Sequence, residues 1–352
     1  MPATTAARRK DLKAGKEALA LHQRALVFDC TALLYTLDEP YASRMKEGGV
    51  DAVNLTTVAE TEGWDDTLKI TDESLTKIAK SPILTLATTA AEVRTAKKAG
   101  KIAVILGTQG ASMLDTHLWR LEVLHKLGYR YFGLAYTGAN VFADGCGERR
   151  NAGVSFLGKE LIELVNSLNM ILDLAHCGHQ TRWEAAQLAN NPVCTHSNAY
   201  SVNANDRNTK DETIKAMAAK GGMVGICGLV RSVWPKDATI DHMLDHLDHV
   251  VKLVGHEHVG LGLDFVEGYQ EKHRSGNAPA SEHDKPPKWR TLRPDIFGTA
   301  EDFYNVPYPK GLDSVRLLPN LTQGLLDRGY SNDQVEAIMG RNWLSHFERA
   351  VG

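Results

Sequence analysis

Short runs of apolar and β-branched residues recur along the chain, separated by longer stretches with helical spacing. The runs are ALVFDC (25–30), VDAVNLTTV (50–58), KIAVILG (101–107), YRYFGLAY (129–136), MILDLAH (170–176), NPVCTH (191–196), GGMVGIC (221–227) and HVGLGLDF (258–265). Near-continuous hydrophobicity over so few residues predicts strands buried on both faces, as in a parallel sheet. The segments 88–100, 158–169, 210–221 and 239–255 carry apolar residues at the spacing of one helix face. Eight strands alternating with helices predict an α/β fold, a (β/α)8 TIM-type barrel, because each crossover helix has to cover a strand pair. An open doubly wound sheet would carry a glycine-rich phosphate turn after its first strand, and FDCTALLY (28–35) has none.

The rhythm fails from 268 to 310, a polar stretch with several prolines that carries Trp289, Arg290, Arg293, Phe303, Tyr304 and Tyr308. Its place after the eighth strand predicts a loop over the barrel mouth, serving either as a lid or as a solvated insertion. The tail 318–350 predicts two packed helices, the second opened by Ser331 as N-cap. With 1–24 as a helical extension, 1–352 reads as one domain.

A hydrophobic content of 43% with 24% charged residues is that of a soluble globular protein. A formal charge of −3 gives no reason to expect nucleic acid or an anionic membrane as partner. Residues 1–28 are basic in places but lack the apolar core of a signal peptide, and no later segment approaches a membrane span. Five scattered cysteines without a CxxC pair argue for a reducing compartment, so a cytoplasmic enzyme is expected. Cys30, Cys177, Cys194 and Cys227 read as small buried apolar residues, with a ligand or nucleophile role left open for Cys30 and Cys177 near the mouth.

Chemistry in a strand–helix barrel gathers at the carboxyl ends of the strands. His176 and His196 stand at two neighbouring ends, where their imidazoles could share one metal ion. Asp264 ends the eighth strand as a metal ligand or general base. Gln109 and Tyr136 follow the third and fourth, and Arg207, in NANDRNT (203–209), could grip a carboxylate with two parallel hydrogen bonds. His179, His242, His246 and His249 are expected to face solvent from helices. These positions alone predict a barrel hydrolase or lyase with one metal.

The motifs DLAHCGHQT, PVCTHSNAYSVNANDRN, AAKGGMVGI, HVGLGLDF, LPNLTQGLLDRGYS and GRNWLSHF, spread from about Ala25 to Phe347, resemble the membrane (renal) dipeptidase family, peptidase family M19 of the amidohydrolase superfamily. The resemblance implies a barrel enzyme that hydrolyses dipeptides with two zinc ions. One ion would lie on a His-x-Asp pair after the first strand, the other on two histidines of strands five and six, with a glutamate bridging them. It makes His176 and His196 the second-metal histidines, Arg207 the carboxylate clamp and Asp264 the acid/base.

Elsewhere the chain departs from that pattern. Thr31 and Leu33 stand where the His-x-Asp pair belongs, Gln109 replaces the bridging glutamate, and Tyr136 replaces a substrate-binding histidine. This resembles an atypical branch of the family that lacks the first metal site. The expectation is a dipeptidase-like hydrolase with one divalent ion, zinc or else iron or manganese, held by His176, His196 and Asp264. Gln109, Tyr136 and Arg207 would bind a small carboxylate-bearing amide, dipeptide or N-substituted amino acid, and the protein is a possible homodimer. The alternatives are a lyase or C–N/C–C bond-processing enzyme using Tyr136 as acid or base, and an inactive binding relic.

Overall fold

The computed structural model describes residues 12–275, 288–305 and 308–352. Its strands are β1 (Phe28–Leu33), β2 (Ala52–Val58), β3 (Leu84–Leu86), β4 (Ile102–Thr108), β5 (Tyr129–Gly133), β6 (Ile171–Asp173), β7 (Pro192–Ser197), β8 (Val224–Ile226) and β9 (Val259–Leu261). All pairings among them are parallel. β1 pairs β2, β2 pairs β4, and neighbours then follow in order to β9, which returns to β1, so eight strands close a (β/α)8 barrel. β3 stands outside that ring. It pairs Ile102–Val104 at the start of β4, on the edge whose later part, Leu106–Gly107, pairs β5.

The period-two alternation of the strands separates two cores. Val53, Leu55, Val104, Leu106 and Leu172 pack with helix residues such as Leu121, Ile162, Ile214 and Leu244. Phe28, Ala52, Ala103, Ile105, Tyr131, Ile171, Val193 and Met223 form the other cluster, where side chains from so many strands can meet only inside the barrel. The terminal helix Asn342–Val351 adds Trp343 and Phe347 to it. Trp343 lies 6.4 Å from the ring of Phe28, the first residue of β1, and so plugs the end where the strands begin. The opposite end, where the strands finish, stays available for chemistry.

The predicted helices are found at Ala90–Lys98, Phe156–Ser167, Asp211–Ala218 and Ile240–Val254. Ser331 caps its helix as expected, accepting from the Gln334 N–H. The stretch read as a loop after the eighth strand contains helices Glu267–Arg274, Lys288–Leu292, Pro294–Phe297 and Ala300–Asn305, and its residues 276–287 and 306–307 lie outside the described residues. Of the N-terminal extension, 1–11 lies outside them too, and Lys16–Arg24 is helical.

The solvent-facing expectation for the helix histidines needs correction. His246 is fully buried, its Nδ1 accepting from the Ala199 N–H and its Nε2 meeting Val233 O at 2.8 Å, so it ties its helix to the β7 loop. His242 is buried against Trp234, with ring centroids 4.7 Å apart. His179 is half-buried, 3.2 Å from Asp206, and His249 pairs Asp211 at 2.9 Å.

Candidate active site

His196 lies in β7 and His176 three residues beyond β6, and their Nε2 atoms face each other at 3.0 Å. The back of His196 is fixed by a relay. The Thr195 hydroxyl donates to Asp173 Oδ2 at 2.6 Å, so its oxygen accepts from His196 Nδ1–H at 2.7 Å. Asp173 is itself held by the backbone N–H groups of Thr195 and Ala175. This order of donors places the proton of His196 on Nδ1 and presents the lone pair of Nε2 to the cavity, the tautomer a metal ligand requires. His176 stacks on Tyr136, with centroids 3.9 Å apart and 23° between the planes. Burial, reinforced by Arg207, holds both imidazoles well below their usual pKa, so both are neutral.

Gln109 follows β4, donating from Nε2 to Thr56 Oγ1 at 3.0 Å and lying 3.4 Å from His196 Nε2. Its backbone passes so close to Gly133 of β5 that any side chain on that glycine would overlap it. Arg207 is 3% exposed; its Nη1 donates to Ala175 O, while its Nη2 is buried without a hydrogen-bond partner. A buried guanidinium nitrogen left unsatisfied calls for a ligand oxygen. Asp264, three residues past β9, adopts φ +56°, a left-handed conformation uncommon for a residue with a side chain. Burial pushes its carboxyl up to about 6, against the opposing pull of Arg207.

The structure therefore brings His176, His196, Gln109, Tyr136, Arg207 and Asp264 to the ends of their strands on one side of the barrel. Among the described residues no three His, Cys, Asp or Glu side chains form a group able to hold a metal ion. The Asp264 charge is set against the Arg207 guanidinium. The two imidazoles, neutral and convergent at Nε2, fit a single ion as a two-point seat, while Thr31 and Leu33 offer neither imidazole nor carboxylate for a second. Nor can Tyr136 be a base at neutral pH, since burial and then Asp264 push its phenol above the usual range. Its protonated phenol can only donate, or accept, a neutral hydrogen bond. Burial likewise raises the thiols of Cys30 and Cys177, which removes them as nucleophiles.

Arg182 carries no signal of its own in the sequence. Fully buried on the helix His179–Leu188, it donates to the carbonyls of Leu174, Ala175, Asp206, Arg207 and Asn208. It thereby clamps the turn before His176 to the loop that carries Arg207. Arg182→Met should lower stability by about 3 kcal/mol, because several buried carbonyls lose a charged donor at once. Urea unfolding of the variant measures this.

Over the mouth, Trp289 Nε1 donates to Glu60 Oε2 at 2.6 Å, and Glu60 also accepts from the Gly138 N–H. Arg293 bonds Asp206 at 3.0 Å, and the Asp206 carboxyl, held first by His179 and then by Arg293, is lowered to about 2.

The sequence profile of the membrane dipeptidase family (Peptidase family M19) matches residues 20–276. An uncharacterized dipeptidase of Schizosaccharomyces pombe is 32% identical over 70% of this chain and 52% of its own length. The dipeptidase aclJ of Aspergillus oryzae is 29% identical over 70% and 51%. The chain thus spans about half the length of the curated relatives it matches. Among solved structures, an amidohydrolase from Pseudomonas aeruginosa superposes with a TM-score of 0.82 at 26% identity, covering 95% of this chain and 98% of that one. A metallo peptidase from Rhodobacter sphaeroides, liganded with a phosphinate mimic of the dipeptide L-Ala-D-Ala, shares the fold with a TM-score of 0.75 at 22% identity, covering 93% and 99%.

Proposed function

Because the chain belongs to the membrane dipeptidase family, peptidase family M19, we propose that it hydrolyses a small carboxylate-bearing amide, a dipeptide or an N-substituted amino acid, with the help of one divalent ion at His176 and His196. The observation that carries this reading is the pair of neutral imidazoles whose Nε2 atoms converge to 3.0 Å beside the unpartnered Nη2 of Arg207. Zinc suits an imidazole pair, with iron or manganese as alternatives. A bound ion would supply Lewis-acid polarisation of the scissile carbonyl. Arg207 takes the substrate carboxylate through Nη2, and Tyr136 and Gln109 offer neutral hydrogen bonds to the rest. Asp264 accepts a proton from the attacking water as its oxygen bonds to the carbonyl carbon. It then returns that proton to the nitrogen as the C–N bond breaks.

In this reading 1–352 works as one unit, a cytoplasmic enzyme that is a monomer or a homodimer. No helix among the described residues is long and apolar enough to cross a membrane. The segment carrying Trp289 and Arg293 acts as the cover of the mouth, pinned at Glu60 and Asp206.

Release of D-alanine from L-alanyl-D-alanine, followed by chromatography, tests the proposal. Turnover should require an added divalent ion and stop with EDTA. Arg207→Ala should raise KM by about 30-fold or more with kcat changed little, the signature of a lost charge-assisted pair. Equal turnover of the dipeptide and its carboxyl-blocked amide would refute the clamp.

A further inference from the structure

On the β1 side of Asp264 lies a small cavity of about 10 Å3, room for one water-sized group, with Asp29, Thr31, Tyr35, Tyr41, Phe265 and Glu267 in its wall. No role described so far uses it. Part of the wall is aromatic: Tyr35 and Tyr41 meet edge to face at 4.9 Å, and Phe265 follows Asp264 directly. Part is acidic, and its two carboxylates differ in one respect. Glu267 already faces a cation, Arg44, at 3.7 Å. Asp29 does not: its Oδ1 accepts from the backbone N–H groups of Leu263 and Thr31, and the other charge acting on it is a second carboxylate, Asp264. Burial, with Asp264 adding to it, pushes the Asp29 carboxyl up to about 7, as expected of a carboxylate without a counter-charge. Beside it the Thr31 hydroxyl is buried with no hydrogen-bond partner. Native proteins seldom leave such a group unmet unless something else fills the place.

We propose that this cavity is the subsite for the cationic nitrogen of a zwitterionic amino-acid-derived substrate, held between the Asp29 carboxylate, the Thr31 hydroxyl and the rings of Tyr35 and Phe265. The inference rests on the hydrolase reading in one respect, that the carboxylate of the same molecule sits on Arg207. An ammonium group donates to the carboxylate and the hydroxyl together, supplies the charge that Asp29 lacks, and is attracted by aromatic faces. An anion would be repelled by two carboxylates. A divalent metal would find no imidazole or thiolate in the wall, and a carboxylate whose Oδ1 already accepts two backbone N–H groups. The placement also suits one substrate, because Phe265 of the wall follows Asp264 directly in the chain, so the cavity adjoins the acid/base.

Two half-molecules separate this subsite from the carboxylate clamp. L-Alaninamide has the ammonium and no carboxylate; N-acetylalanine has the carboxylate and no ammonium. By calorimetry at pH 7.5, where the amine is mostly charged and the Asp29 carboxyl mostly ionised, L-alaninamide should bind about 10-fold or more tightly than isobutyramide, which has its shape without the charge. Thr31→Val, of nearly equal volume, should weaken L-alaninamide about fivefold or more and leave N-acetylalanine unchanged. Its unliganded melting temperature should stay level or rise, because the variant removes a hydroxyl that has no partner. Equal binding of L-alaninamide and isobutyramide overturns the proposal, as does unchanged L-alaninamide affinity in Thr31→Val. A lowered melting temperature with both fragments weakened alike would make Thr31 structural and overturn it too. Failure of N-acetylalanine alone to bind would instead count against the Arg207 clamp, with the cavity still supported by L-alaninamide.

Discussion

Alanine at either His176 or His196 is expected to empty the metal seat and to lower turnover by well over 100-fold. Loss of an outer partner of a metal-bound histidine costs about 10–100-fold in affinity or activity, and here half of the protein donors would go. The wild-type chain should retain at most one catalytic ion. The two Nε2 atoms at 3.0 Å can share one ion, and Thr31, Leu33 and Gln109 supply no charged donor for another. Elemental analysis of the purified protein and of both variants measures this. Two tightly held ions in the wild type, or an undiminished ion in His196→Ala, would overturn it. The Thr195–Asp173 relay sharpens the expectation for His196, because its Nδ1 proton is committed to Thr195 and only Nε2 remains to bind.

The places of the candidate residues were legible in the sequence because strand ends are. In a parallel barrel the period of apolar runs fixes where each strand stops, and so where His176, His196, Gln109, Tyr136, Arg207 and Asp264 emerge. What escaped is what local pattern cannot encode. β3 is only Leu84–Leu86 and depends on a free stretch of the β4 edge, a property of the assembled sheet. Arg182 looks like a surface charge on a helix of low amphipathicity, and only the fold brings five carbonyls around it. His242 and His246 sit at helical spacing with His249, yet two of the three turn inward because Trp234, Val233 and Ala199 offer them partners outside their own helix. Asp29 reads as a strand residue until β9 closes the barrel and its carboxylate meets the Leu263 N–H. At Asp264 the strand-end position predicts a metal ligand or a general base. That position does not determine the left-handed turn at φ +56° or the proximity of Arg207.

Asp264→Asn should lower kcat by about 10²–10⁴-fold with the metal content intact, since an amide can neither take nor return a proton. The pH profile gives the sharper test. Asp264 has to be ionised to accept a proton, and its carboxyl stands at about 6, raised by burial and held back by Arg207. So kcat/KM of the wild type should fall as pH drops through about 6. The two histidines, held well below their usual range, do not titrate there. Asp29, at about 7, is the other candidate for such a limb. A limb near 7 that persists in the residual activity of Asp264→Asn would therefore transfer the assignment to Asp29. Stability should move the opposite way. Asp264 keeps its proton to a higher pH in the folded chain than its usual 3.8, so folding takes up a proton between about pH 4 and 6, and its penalty is complete above that window. Asp264→Asn removes the penalty and should stabilise the protein at pH 8 by up to about 3 kcal/mol. A variant that is more stable and nearly inactive would mark Asp264 as a residue kept for chemistry at the expense of the fold. One that unfolds more easily would mean that its carboxylate mainly holds the β9 turn in place.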